Sequence, residues 1–294
     1  MVIATTGFFD GVHTGHRKVI ETLCRTAKER GAQSVAVTFW PHPRNVLRQD
    51  AQQLRLLSSL KEKEELLRDC GVDRVEVVDF TREFSTMSCE EFLKDYIIGE
   101  LGASALIVGY DHHLGNPEYS TDIRSVAAGL GLETIEAPSV SDAYNTVSST
   151  YIRNLLSTGG IERANALLGY EYRLTGVVVS GNGIGRTISF PTANMQLYEP
   201  LKLVPEQGVY AVKVRVEGKW HYGVCNIGCR PTVSSDHQVV IETNILDFDE
   251  EIYGLEISVD YCVKMRSEQK FSSLEALKSQ LGADVLQARK IFGI

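Results

Sequence analysis

Val2-Ile3-Ala4-Thr5-Thr6-Gly7-Phe8-Phe9-Asp10-Gly11-Val12-His13-Thr14-Gly15-His16 runs from an apolar, β-branched segment into a glycine-punctuated loop carrying two histidines. Its first part, Val2 to Thr6, predicts a short buried strand. Beyond the loop, Arg17 to Arg30 predicts an amphipathic helix with Val19, Ile20, Leu23 and Ala27 on one side. The loop therefore lies on a strand-to-helix turn, where ligands gather at the carboxyl edge of an α/β sheet. Amides freed at a helix start, with two imidazoles about one turn apart, suit a phosphate. No Gly-Lys-Ser/Thr follows, which excludes a Walker loop, and the glycine spacing is not that of a dinucleotide fold.

The same alternation continues outward to about residue 157. Strands are predicted over Ser34 to Trp40, Arg74 to Phe80, Ala105 to Asp111 and Leu132 to Ala137. Helices are predicted over Leu60 to Cys70, Cys89 to Leu101 and Thr121 to Leu130, with Gly31, Gly71, Gly102 and Gly131 where C-terminal helix caps are expected. That rhythm predicts an α/β domain with a doubly wound parallel sheet. After a short helix near Ile161 to Leu168 the pattern changes to strands: Tyr172 to Ser180, Val209 to Val216, Trp220 to Ile227, Val239 to Phe248 and Glu256 to Lys264. Glu217-Gly218 predicts a tight hairpin turn, and Leu274 to Phe292 a closing helix. An antiparallel β-barrel with a C-terminal helix is the expectation for this half.

At 294 residues the chain can bury two cores. Its formal net charge of -8 argues against sequence-independent binding of nucleic acid, which rests on Lys and Arg. No apolar run approaches a membrane span, and the N-terminus lacks the layout of a secretory signal, so the expected location is cytoplasmic, without a membrane or nucleic-acid partner. Six cysteines lie scattered without a C-x-x-C pair and read as reduced structural thiols rather than a zinc site.

Three further segments carry chemistry. Val147-Ser148-Ser149-Thr150-Tyr151-Ile152-Arg153 leads into a helix with hydroxyls, free amides and an arginine, a second anion site or an ordinary cap. Thr38-Phe39-Trp40-Pro41-His42-Pro43-Arg44 ends a strand in a stiff aromatic turn, which lines a planar ligand or merely closes the strand. Gly181-Asn182-Gly183-Ile184-Gly185-Arg186 is a loop whose amides can wrap phosphates, and Ser189-Phe190-Pro191-Thr192-Ala193-Asn194 follows it. Thr192 and Asn194, two apart on an extended chain, point the same way and offer hard oxygen ligands suited to Mg²⁺.

These segments resemble, in order and over nearly the whole chain, the bacterial bifunctional riboflavin kinase/FAD synthetases. His13-Thr14-Gly15-His16 resembles the H-x-G-H signature of nucleotidyltransferases, and Pro191-Thr192-Ala193-Asn194 matches the P-T-A-N of riboflavin kinases. Asn226-Ile227-Gly228-Cys229-Arg230-Pro231-Thr232, Glu242-Thr243-Asn244-Ile245-Leu246-Asp247-Phe248 and Arg266 with Lys270-Phe271 resemble that family's N-I-G-x-R-P-T, glutamate-led and R-x-E-x-K-F segments.

The resemblance implies an FMN adenylyltransferase (FAD synthetase) over 1-158 and a riboflavin kinase over 159-294. In the first, Gly7, Phe8, Asp10, Gly11, His13, Gly15, His16, Ser148, Ser149, Thr150 and Arg153 would bind ATP, with His13 and His16 catalytic. Pro41, His42, Pro43 and Asp111 would receive FMN. In the second, Gly181, Gly183, Gly185, Arg186, Pro191, Thr192 and Asn194 would bind ATP, with Mg²⁺ on Thr192 and Asn194. Asn226, Arg230 and Arg266 would bind the flavin, and Glu242 would be the general base.

The chain departs from the family at Gly109-Tyr110-Asp111-His112-His113-Leu114-Gly115-Asn116-Pro117, where basic or aromatic choices are usual, and at Ser189, usually glycine. Two alternatives stay open: a riboflavin kinase with a weakened or inactive adenylyltransferase half, and a non-catalytic flavin or nucleotide sensor.

Overall fold

The computed structural model describes residues 1–42, 54–109, 122–140, 146–181, 185, 190–230 and 238–294. The chain divides into two compact units, Met1–Ser149 and Thr150–Ile294.

In the first unit, five parallel strands lie in the order β3-β2-β1-β4-β5. They are β1 (Val2–Thr6), β2 (Gln33–Trp40), β3 (Arg74–Asp79), β4 (Ala103–Val108) and β5 (Glu133–Glu136). The helices among them are α1 (Thr14–Glu29), α2 (Leu60–Asp69), α3 (Cys89–Glu91), a π-helical continuation over Phe92–Glu100, and α4 (Ile123–Gly129). Alternation along the strands builds a core on each sheet face. Ile3, Ala36 and Ile107 pack with Ile20, Leu23 and Leu67, while Ala4, Val37 and Leu106 pack with Phe92, Leu93 and Ile97. The strand order reverses between β1 and β4, so the ligand crevice is expected at their carboxyl ends.

In the second unit, α5 (Ser149–Ser157), which opens at the boundary, and α6 (Ile161–Leu168) precede a closed antiparallel barrel ordered β10-β7-β6-β11-β8-β9. Its strands are β6 (Tyr172–Val179), β7 (Ala193–Leu197), β8 (Gly208–Val216), β9 (Lys219–Arg230), β10 (Gln238–Ile245) and β11 (Glu256–Arg266). Glu217 and Gly218 both have positive φ, 47° and 80°, as the tight β8–β9 turn demands. The last helix, α7 (Leu274–Phe292), covers an outer barrel face through Ala288, Val285 and Phe292, whose ring stacks on Tyr222 at 4.4 Å.

Four expectations are corrected. The barrel has a sixth strand, β7, where the sequence predicts only an extended stretch, because pairing with β6 and β10 turns it into a ladder member. The first helix starts at Thr14 rather than Arg17, because His13 caps it. Strand β4 ends at Val108, short of the expected Asp111. The helix expected over Cys89 to Leu101 is mostly π-wound.

Candidate active sites

The loop after β1 is held in an unusual backbone path. Phe9, Gly11 and Val12 have φ of 46°, 78° and 35°, which is costly for a β-branched residue such as Val12. Asp10 holds the loop in place: its carboxylate accepts from the amides of Leu57 (3.0 Å) and Ser58 (3.0 Å). The Ser58 hydroxyl in turn accepts from Gly11 N at 3.0 Å. Asp10, expected among the ATP contacts, thus ties the loop to the segment before α2.

His13 sits at the N-cap of α1, and its Nδ1 accepts from the His16 amide at 3.3 Å. The two imidazoles stack with centroids 3.6 Å apart, and the edge of Phe9 meets His16 at 5.3 Å. A Cβ at Gly15 would stand 3.1 Å from His13 Nδ1, and one at Gly7 2.9 Å from the Phe9 ring, so both glycines make room for rings. Among the described residues, His16 Nδ1 is buried without a hydrogen-bond partner. Burial first, then the charges of His13 and Lys63, holds the His16 imidazole well below its ordinary range.

Ser149, the last residue of the first unit, donates to the Asp10 carbonyl at 2.9 Å. Ser148 immediately precedes it, and Thr150 and Arg153 lie on the first turns of α5. Pro41 follows a cis bond after Trp40, and the His42 ring lies 5.2 Å from Phe8. Pro43 and Asp111 are outside the described residues. The sequence reading missed Lys63, a cation at an inward position of α2, whose signal is its i,i+4 relation to the buried Leu67.

In the barrel, register aligns the expected chemistry. Glu242 on β10 pairs directly with Asn194 on β7 and with Asn226 on β9. Directly opposed residues share a sheet face, so carboxylate and both amides form one row on the barrel's outer surface, while neighbouring Thr243 is buried. Glycine shapes the rest. A Cβ at Gly181 would stand 2.3 Å from Asn194 Nδ2, and one at Gly185 would meet the Phe190 carbonyl at 2.3 Å and Thr192 Oγ1 at 3.4 Å. Asn244 donates to the Pro191 carbonyl at 2.7 Å, pinning Pro191 beside Thr192. Gly183 and Arg186 lie outside the described residues, as does the side chain of Arg230.

Arg266, expected at the flavin, forks onto Asp284 of α7 through Nε (2.9 Å) and Nη2 (2.8 Å), and Asp284 is 1% exposed. Its guanidinium is committed to that carboxylate. Glu268 folds back over Gly228, where a Cβ would meet its carboxylate at 2.3 Å. Cys225 is buried beside the Tyr261 hydroxyl at 3.3 Å with its thiol pushed up to about 11, mainly by burial. Cys229 accepts from Gln207 at 2.9 Å, so these two thiols have protein partners rather than the arrangement of a metal pair.

A strand-to-helix histidine loop on a parallel sheet, joined to a closed barrel carrying a Thr/Asn/Glu row, defines a two-domain nucleotide-handling protein: a nucleotidyltransferase-type unit followed by a riboflavin kinase-type barrel. The family model for FAD synthetase matches residues 1–151, and that for riboflavin kinase matches residues 168–292. The chain is 39% identical over 292 residues to the bifunctional riboflavin kinase/FMN adenylyltransferase of Listeria monocytogenes, covering 99% of this chain and 92% of that one. It is 38% identical to the Bacillus subtilis protein of the same name, with the same shares covered. A crystal structure described as a macrolide-efflux protein from Streptococcus pneumoniae superposes with a TM-score of 0.90 at 30% identity, covering 98% of this chain and 93% of that one. The chain belongs to the bifunctional riboflavin kinase/FMN adenylyltransferase family. Among the described residues no helix is long and apolar enough to cross a membrane.

Proposed function

We propose that this chain makes FAD in two steps. In the barrel, ATP phosphorylates riboflavin to FMN; in the N-terminal unit, a second ATP adenylylates FMN, giving FAD and pyrophosphate. The observation that carries this reading is the row Asn194–Glu242–Asn226, present in the same chain as the stacked histidine loop.

Glu242 takes the proton of the riboflavin 5′-hydroxyl as that oxygen bonds to the γ-phosphorus and the bond to the β-phosphate oxygen breaks. Thr192 and Asn194 present hard oxygen donors over the Gly181 and Gly185 cradles, a set that fits Mg²⁺, which when bound neutralises phosphate charge. Asn226 flanks Glu242 on the flavin side, and Arg266 serves by fixing the corner between β11 and α7. In the other unit, a phosphate oxygen of FMN attacks the α-phosphorus of ATP and pyrophosphate leaves. There His13 and His16 face the charge developing on phosphorus, on the loop built by Gly7, Phe8, Gly11 and Gly15. Ser148, Ser149, Thr150 and Arg153 hold the outer phosphates, and Pro41 and His42 border the flavin. The working division is 1-158 for adenylylation and 159-294 for phosphorylation. The cytoplasm is the proposed compartment, where ATP is at hand and six free thiols suit reducing conditions.

Purified protein given riboflavin, ATP and Mg²⁺ is expected to yield FMN and then FAD by mass-resolved assay, and chelation of the metal to stop FMN formation. FMN that never proceeds to FAD favours the weakened-adenylyltransferase alternative, and no turnover at all favours the sensor.

A further inference from the structure

Lys63, on the first turns of α2, is 4% exposed. Its Nζ donates to Thr38 Oγ1 at 3.1 Å and to the Phe39 carbonyl at 3.3 Å, and lies 5.6 Å from the centre of the Trp40 ring. Among the described residues no carboxylate pairs with it. An ammonium in that position carries a heavy desolvation cost that neutral acceptors offset only in part. A neutral donor would satisfy the same two oxygens, so hydrogen bonding alone does not account for a charge here.

The surroundings tie this cation to the histidine loop. Thr38 Oγ1, which receives Lys63, itself donates to the Phe8 carbonyl at 3.3 Å. Asp10 clasps Leu57 and Ser58 just before α2, whose start is closed by reciprocal Ser59 and Glu62 bonds. The helix that carries Lys63 is therefore fixed to the loop that carries His13 and His16. That loop holds a buried imidazole nitrogen, His16 Nδ1, which among the described residues has no hydrogen-bond partner, and the Lys63 charge acts on that imidazole.

We propose that Lys63 is a positioning residue for adenylyl transfer: a cation built into the site, anchored at the carboxyl end of β2, that sets the state in which His16 meets the nucleotide's phosphates. This rests on the adenylyltransferase reading of the N-terminal unit. The groups that face His16 electrostatically are His13 on α1's cap and Lys63 on α2; those that face Lys63 are Asp10 on the loop, Glu64 on α2 and His16. Buried, stacked on His13 and within reach of the Lys63 charge, His16 stays neutral and offers an N–H rather than a full charge to a phosphate oxygen. Burial outweighs the two carboxylates and brings the Lys63 ammonium down to about 8, so it remains mostly charged at neutral pH.

The test compares Lys63→Gln, which keeps N–H donors for Thr38 and Phe39 but removes the charge, with Lys63→Met, which removes both. FAD formation from supplied FMN and ATP is expected to lose about 10- to 100-fold in kcat in both variants, with the KM for ATP changing less than about threefold. FMN formation from riboflavin by the same proteins is expected to stay at the wild-type rate. The His16 imidazole, followed by NMR and assigned with His16→Gln, is expected to titrate at higher pH in Lys63→Gln than in the wild type. Lys63→Gln with wild-type kcat, or with an unmoved His16 titration, overturns the proposal; so does an active Lys63→Gln beside an inactive Lys63→Met, which reduces Lys63 to a hydrogen-bonding role. If Lys63→Met does not fold, Lys63→Gln carries the test. Wild-type protein that makes no FAD from FMN overturns the adenylyltransferase reading instead, and the His16 titration still reports whether Lys63 acts on His16.

Discussion

His16 and Glu242 separate the two proposed reactions at single atoms. His16→Ala removes one donor from the adenylylation site and is expected to cut FAD formation from FMN by about 10²- to 10³-fold while leaving riboflavin phosphorylation intact. Glu242→Gln keeps the row's shape but not its base, and is expected to lower FMN formation by about 10²- to 10⁴-fold with adenylylation of supplied FMN unchanged. Steady-state assays of each half-reaction check both, and equal damage to both activities in a folded protein would refute separate sites. Space matters as much as chemistry at Gly181, where an added methyl group meets the Asn194 amide at 2.3 Å. Gly181→Ala is expected to displace Asn194 and slow FMN formation by about 10- to 100-fold, read as kcat in the same assay. The spacing of His13 and His16 was legible because helix geometry brings residues three apart together without tertiary help. Lys63 was not: in a run as charged as Lys61-Glu62-Lys63-Glu64-Glu65, its spacing from Leu67 is a faint signal, and packing shows that it points inward.

Elements were legible where local pattern and tertiary demand agree. Tyr172–Val179 alternates buried and half-buried residues along the strand, and Glu217-Gly218 marks the β8–β9 turn unaided. Strand β7 lacks that advantage: Ala193-Asn194-Met195-Gln196-Leu197 has a period of two but no β-branched or aromatic residue. Its identity comes from pairing on both sides. The same holds for α7, whose periodicity predicts a helix but not its anchor, the bidentate Arg266–Asp284 pair. Asp284→Ala leaves a partly buried guanidinium without its carboxylate and is expected to destabilise the C-terminal unit by about 3 kcal/mol. Urea unfolding followed by near-UV circular dichroism of the barrel checks this.

On the scale of the whole molecule, the chain carries two compact units, each with its own core. If FMN made in one unit is free in solution before adenylylation, the two single variants must complement each other. A mixture of His16→Ala and Glu242→Gln proteins is expected to form FAD from riboflavin although neither does alone, with a lag that shortens as total protein rises. Failure of the mixture, with both half-reactions intact in the assays above, would show that FMN does not pass between molecules.

The sequence by itself determined the two-part architecture, the histidine loop, the Pro191–Asn194 motif and the family, because each is written in residues close together along the chain. Tertiary structure alone decided that Asn194, Glu242 and Asn226 stand in one row, that Arg266 pairs with Asp284, that Asp10 accepts from Leu57 and Ser58 and that Lys63 is buried against the end of β2. Those facts depend on strand register and on packing between segments tens of residues apart, which no local pattern encodes.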